Sequence, residues 1–389
     1  MSAPGIARAP APGIVAVAPS RILELDGLRA FAILPVILHH SWPKGSSTGF
    51  LGEAGWMGVD LFFVLSGYLI TGILLKTVRE TKGYRNFLIR RSLRIFPLYY
   101  LCLALFAAVA FARQDPWAAM KDWGGVGWFV VYLGNIRAAW VNHLPPVLSF
   151  ATLWSLQVEE QFYLFFPIAV MLFSTRNLKR FLIACIVAAP ALRSFLVLFV
   201  PHSAIAGYAL MPCRMDALAM GGLLAVAFRS GERPRAAIPR LAFLIGGAAS
   251  AAIFWAALLR QPEGTANDPW MRAVGYSAID FTCASLLYWV LVSPASGLSR
   301  ILRWRALVYT GQIAYGLYLL HEPASWTARK LLGNVETHSA LSVPITLVAS
   351  FVAAALSWRF FESPFLAWKE RFQMRESGNV RLSRSQASP

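Results

Sequence analysis

Apolar residues fill long windows of this chain, and the polar residues gather mostly between those windows instead of alternating within them. A helix needs about 20 mostly apolar residues to cross a hydrocarbon core. Ten stretches meet that length, at roughly 26–43, 56–75, 95–112, 153–173, 181–200, 208–228, 241–259, 274–292, 306–321 and 340–358. The pattern predicts an all-α, polytopic transmembrane bundle of about ten spans. No connection has room for a soluble domain, and residues 114–152 read as an outer loop with a shallow or re-entrant part. Residues 1–20 lack the charged start and apolar core of a cleaved signal. They read as a disordered cytoplasmic tail, with the membrane domain over 21–365 and a basic cytoplasmic tail over 366–389.

Composition agrees with this reading, since 57% of the residues are hydrophobic and only 14% charged. Fourteen Trp, 26 Phe and 12 Tyr suit a chain whose aromatic rings sit at bilayer interfaces. The net charge of +17 does not call for nucleic acid, because the cations cluster between the apolar stretches. Placing both termini in the cytoplasm gathers most of the 36 Lys and Arg on one side, as loops retained inside require. Counting 128–136 as an eleventh span would move Arg176, Lys179 and Arg180 outside, which argues against it. The four cysteines form no CxxC pair, so neither a disulfide framework nor a metal site is expected.

Ionisable residues inside apolar helices are expensive and mark cavities or internal partners. The first span carries Arg29 and His40, eleven residues apart on one helical face and roughly 16 Å apart along the axis, with Pro35 between them. The fourth opens with five polar residues, among them Glu159 and Glu160; Glu160 reads as a helix cap. The ninth ends in Tyr318 and His321. With the first and ninth spans running outward and the fourth inward, His40, Glu159 and His321 share the outer level. In the second span Asp60 is acidic near the outer end, while Ser66, Gly67 and Thr71 are small enough for close helix packing. Ser66 also invites a nucleophile reading, but no GxSxG elbow surrounds it. Arg90, Arg91 and Arg94 are neighbours on one helical face at the inner end, where guanidinium forks match phosphate oxygens. Arg214 and Asp216 read as an internal ion pair, with Arg193 and Asp280 as further members of its network.

Taken together, these residues resemble the acyltransferase-3 family of bacterial integral membrane proteins. The resemblance rests on Leu25-Asp26-Gly27-Leu28-Arg29-Ala30 with His40, the run Gly58 to Thr71, and Arg90-Arg91 with Arg94-Ile95-Phe96-Pro97. It rests further on Trp154-Ser155-Leu156 with Glu159 to Tyr163, Arg214 with Asp216, and Tyr315 to His321. It implies transfer of an acyl group, acetyl by default, from cytoplasmic acyl-CoA to a hydroxyl of a cell-envelope or exported carbohydrate or glycolipid, at the bacterial inner membrane. The family's arginine, ten residues, histidine pattern falls on Arg29 and His40, and its arginine-rich inner motif on Arg90, Arg91 and Arg94. The chain reads as the stand-alone form, without the fused esterase-like domain of some relatives.

The expected mechanism has His40 deprotonate the acceptor hydroxyl, Glu159 support the imidazolium, and Arg29 face the carbonyl oxygen or hold a donor carbonyl. Arg90, Arg91 and Arg94 grip the coenzyme phosphates. Direct attack and an acyl-histidine intermediate both remain open. So do acylation of a small metabolite such as a macrolide sugar, and a transporter or flippase without transferase chemistry.

Overall fold

The computed structural model describes residues 22–43, 49–80, 82–112, 115–231, 237–261, 264–337, 339–369 and 371–372. The tail over 1–20, most of the tail over 366–389 and His338 lie outside the described residues. Among these there are no strands, and helices follow the predicted stretches closely. The long ones are α1 (Leu23–Ser41), α2 (Gly58–Thr77), α3 (Gly83–Ala112), α4 (Trp154–Leu172) and α5 (Thr175–Phe199). They continue as α6 (Met211–Arg229), α7 (Ala237–Arg260), α8 (Tyr276–Val292), α9 (Ala314–Leu331) and α10 (Ser342–Ser357). Residues 115–151 form four short helices.

Seven of the described helices are long and apolar enough to cross a membrane: α2, α3, α5, α6, α7, α8 and α10, several with flanking turns. The three that fail this test, α1, α4 and α9, are 18 or 19 residues long, so composition excludes them, not length. They are the helices that carry Arg29 and His40, Glu159, and His321. Polar helices of this kind need protein neighbours in place of lipid. The packing supplies them, since α1 lies against α2 and α9, and α4 against α2 and α6. The apolar helices take the periphery: α5 exposes Ile183, Val187, Phe195 and Leu198, and α7 exposes Leu241, Leu244, Ile245 and Leu259.

The α2–α6 crossing is the most extensive helix pair among the described residues. A Cβ at Gly67 would strike the Leu218 carbonyl, and one at Gly221 the Val64 carbonyl, so these two backbones touch without intervening side chains. Close backbone approach of this kind is how membrane helices gain packing energy where lipid supplies no hydrophobic drive. Gly67 therefore packs as its sequence context predicts. The ninth span departs from expectation. Instead of one helix over 306–321, a short helix Arg305–Gln312 breaks at Ile313, and α9 then runs ten residues beyond His321. His321 is consequently a mid-helix, fully buried residue and not an interfacial end.

Candidate active site

Three cavities follow one another through the bundle. The first, about 220 Å³, is lined by Arg29 of α1, Leu69 and Ile73 of α2, and Phe87, Arg90, Arg91 and Arg94 of α3. Arg29, Leu69, Arg91 and Arg94 also border the second, a smaller space of about 110 Å³ that includes Phe62, Ser66, Glu159, Tyr163 and Tyr318. Tyr318 and Val59 border both this space and the third, about 350 Å³, which reaches His39, His40, Glu53 and Trp154.

The arginine end is built by helical spacing. Residues 90, 91 and 94 share one face of α3, and Arg29 meets them from α1. Arg29 donates to Asp26 Oδ1 at 2.7 Å, and Arg90 donates to the Phe372 carbonyl at 3.2 Å. The Arg91 guanidinium stands over the Tyr163 and Phe87 rings, 5.7 and 5.8 Å from their centroids. Among the described residues neither Arg91 nor Arg94 makes a hydrogen bond or an ion pair. Arg29, Arg91 and Arg94 also repel one another. Half-buried like charges are costly unless anions join them, and guanidinium forks pair best with phosphate or carboxylate.

Glu159 sits in the middle space and not beside His40. Its carboxylate accepts hydrogen bonds from Ser66 Oγ at 2.5 Å and Tyr163 Oη at 3.0 Å, and Arg91 and Arg29 attract it. Neither it nor Glu160 caps α4, whose N-terminus has no side-chain cap. The polar opening of α4 instead binds its surroundings. Gln157 accepts the Asn135 N–H at 2.5 Å, Gln161 donates to Asn135 Oδ1 at 2.9 Å, and Ser155 meets the Tyr318 hydroxyl at 2.5 Å. Ser66 is thus a hydrogen-bond donor to Glu159, while the close packing beside it falls to Gly67.

His40 finds its partner on α9. His321 Nδ1 lies 2.8 Å from the Tyr318 carbonyl and 3.2 Å from that of Leu317, which only accept, so Nδ1 carries the proton and Nε2 the lone pair. His321 Nε2 lies 3.3 Å from His40 Nδ1, which is also 2.9 Å from the Val36 carbonyl. Two acceptors around His40 Nδ1 put the proton there and leave the lone pair on Nε2, the form a general base requires. Glu322, 7% exposed, completes the group with Oε1 3.9 Å from His321 Nε2. Nothing in the sequence singled out Glu322 beyond its place next to His321. Donor atoms of His40, His321 and Glu322 all lie within 4.8 Å of one another, so the trio also has the spacing of a cation site. His321, and not Glu159, therefore stands next to His40. Arg29, three helical turns from His40, cannot touch a carbonyl under attack there.

A separate cluster of charges lies wholly inside the bundle. Arg214 pairs with Asp60 and lies over the Tyr276 ring at 4.2 Å. Asp216 receives Arg193 Nη2 at 2.8 Å and Ser277 Oγ at 2.7 Å. Arg214 and Asp216 are therefore not each other's partners, as their nearness in sequence suggested. Each instead ties α6 to another helix, α2 in one case and α5 in the other. Asp280 stands beside them with neither oxygen hydrogen-bonded among the described residues.

Known proteins place this architecture. The chain is 29% identical to YrhL of Bacillus subtilis over 364 residues, which are 87% of this chain and 54% of the relative. It is 29% identical over 362 residues to the peptidoglycan O-acetyltransferase OatA of Listeria monocytogenes, covering 88% and 55%. Against the O-acetyltransferase OatA of Staphylococcus aureus the figures are 27% over 370 residues, covering 89% and 57%. The chain thus spans about half the length of the curated relatives it matches. No solved structure matches it. Over residues 22–360, from the start of α1 through all three cavities to the end of α10, it matches the family model described as an acyltransferase domain, and it belongs to the acyltransferase-3 family.

Proposed function

We propose that this chain is a membrane O-acyltransferase that moves an acetyl group from acetyl-CoA, bound at the arginine end, to a hydroxyl of a cell-envelope carbohydrate at the histidine end. The observation that carries the reading is the run of three cavities joining the arginine end, where Arg91 and Arg94 make no hydrogen bond or ion pair among the described residues, to the His40–His321 pair. The names of the relatives support the acetyl group and the glycan acceptor. With the N-terminus cytoplasmic and ten spans, α1, α4 and α9 included, the arginines open to the cytoplasm of a bacterial inner membrane.

In this reading Arg90, Arg91 and Arg94 hold the coenzyme's phosphates, with Arg29 beside them. Its extended arm passes Glu159 and Ser66 toward Tyr318, and the thioester meets the acceptor beside His40. His40 Nε2 takes the proton of the acceptor hydroxyl as its oxygen bonds to the acyl carbon. The carbon–sulfur bond then breaks, and the proton passes to the thiolate, leaving free coenzyme. His321 is a positioning residue that fixes the His40 tautomer.

Membranes containing the protein, given acetyl-CoA labelled in the acetyl group, are expected to transfer label to glycan. His40→Ala should lower that transfer by about 10²–10⁴, the usual scale of general-base catalysis, at normal protein level. Label that crosses the membrane without any acylated product would establish a transporter instead. The trio His40, His321 and Glu322 supports a second reading in which a divalent ion acts at this point. Activity lost to a chelator and restored by one metal would replace the free base with a bound ion.

A further inference from the structure

The outer cavity is larger than the chemistry at His40 needs, and its far wall carries a group outside the proposed mechanism. Glu53 lies at the end of a short helix, Gly49–Glu53, that precedes α2. Its Oε1 accepts two backbone N–H groups, those of Gly264 at 2.6 Å and Thr265 at 3.1 Å. Trp56 Nε1 donates to Thr265 Oγ1 at 3.2 Å, so Glu53 and Trp56 hold the same turn. Both donors reach Glu53 through one oxygen. Among the described residues Oε2 accepts no hydrogen bond, and the side chain borders the cavity. A carboxylate fixed on one edge and unengaged on the other is preorganised to accept a hydrogen bond from something that enters.

The remaining wall combines the aromatic rings of Trp154, Tyr208 and Tyr318 with aliphatic Val36, Val59 and Leu144. Trp154 and Tyr208 lie 4.4 Å apart between centroids, tilted by 45°, and both border the space that His39 and His40 line. His39 is itself held by the Gly52 carbonyl at 2.8 Å, next to Glu53. An aromatic floor with a few fixed polar groups suits a ring whose faces are C–H and whose rim is hydroxyl. At about 350 Å³ the cavity is near the lower limit for small-molecule sites, which run from about 300 to 1,000 Å³. One sugar ring fits that volume better than a polymer segment.

We propose that the outer cavity is a subsite for a single pyranose unit of the acceptor. The ring rests on Trp154 and Tyr208, and Glu53 Oε2 accepts a hydrogen bond from a hydroxyl other than the one His40 deprotonates. This rests on the acyltransferase reading and adds the specificity device: Glu53 selects which hydroxyl of the ring faces the base.

The test uses the full-length protein in detergent, with acetyl-CoA as donor and an N-acetylglucosamine trisaccharide and its monodeoxy analogues as acceptors. Glu53→Gln keeps an oxygen for the Gly264 and Thr265 N–H groups. It should raise the acceptor KM roughly 10-fold, the scale of one hydrogen bond to a charged group, with the donor KM unmoved. That penalty should vanish for the single analogue lacking the hydroxyl that Glu53 binds. Tyr208→Leu, which removes half the floor and leaves Glu53 in place, should also raise the acceptor KM alone. A Glu53→Gln penalty that is absent, or equal for every analogue, overturns the subsite. So does wild-type protein that cleaves the thioester but acylates no sugar of the panel. Failure of wild-type protein to cleave the thioester at all is a different result, because it removes the acyltransferase reading on which the subsite rests.

Discussion

Two charge clusters lie within this bundle, and they are built on opposite rules. Around α6, Arg214 has Asp60 and Arg193 has Asp216, every member is at most 1% exposed, and the pairs join α2, α5 and α6. Around α3, Arg91 and Arg94 make no hydrogen bond or ion pair among the described residues, although Glu159 and Glu362 act on them from a distance, and Glu159 is held by hydroxyls while it borders a cavity. Both clusters place arginine within a largely apolar protein. Compensated charge with no adjoining cavity marks a structural clamp, whereas uncompensated charge along a cavity marks a place for a ligand. The presence of intramembrane charge is therefore less informative than whether its partner belongs to the chain.

The comparison breaks first at the clamp. Removing one member of a buried pair leaves the other charge without its counterion, at a cost of about 3–5 kcal/mol. Asp60→Ala and Arg193→Ala should both reduce folded protein sharply, read as lost monodisperse yield and lower thermal stability in detergent. If Asp60→Ala folded normally and lost only activity, the Asp60–Arg214 pair would belong with the reaction and the division drawn here would be wrong.

At the α3 cluster the expected response has the other sign for stability. Arg91→Ala or Arg94→Ala removes one of several mutually repelling cations, so thermal stability should hold or rise slightly. Donor KM should increase by about 10- to 100-fold, the equivalent of 1.5–3 kcal/mol for hydrogen bonds between charged groups. Titrating acetyl-CoA against initial rate, with a melting curve for each variant, separates the two effects. Unchanged donor dependence would leave these arginines with only a topological role.

Much of this division was legible in the sequence, and the missing part has a definite cause. Helical period puts Arg90, Arg91 and Arg94 on one face, and apolar length marks α2 and its neighbours. These are local facts that a single helix encodes. Partners across helices are not local: Asp60 and Arg214 are 154 residues apart, and Ser66 and Glu159 are 93 apart. Depth along the membrane, inferred from helix direction, placed Glu159 at the level of His40, yet Glu159 borders the middle space with Arg29 and Arg91, so the packing across helices decided both its depth and its partners. The break at Ile313 was equally hidden, because the apolar run from 306 to 321 passes through it without a proline. It extends α9 beyond His321 and brings Glu322 into reach of that histidine.

The smallest expected effect comes from a third ion pair, in the connection between α7 and α8, which calibrates the other two. Asp268 receives Arg260 Nε at 2.8 Å and Nη2 at 2.9 Å, and it also accepts the N–H groups of Trp270 and Met271. Burial pushes its carboxyl upward, but the Arg260 fork and the Met271 N–H outweigh that and hold it below the usual carboxylate range. A lowered folded value means that the ionised form stabilises the fold above the ordinary carboxyl range near about 4, and that this contribution fades as pH falls through the folded value. With Arg260 half exposed, the pair itself is screened. Capping is then the main term, worth about 0.5–2 kcal/mol. Asp268→Ala should therefore lower the melting temperature modestly at neutral pH, with the gap to wild type narrowing below about pH 4 and the donor KM unchanged. A loss as large as that of Asp60→Ala would mean that exposure does not discount an ion pair in this protein, and burial could no longer explain why the α6 clamp matters.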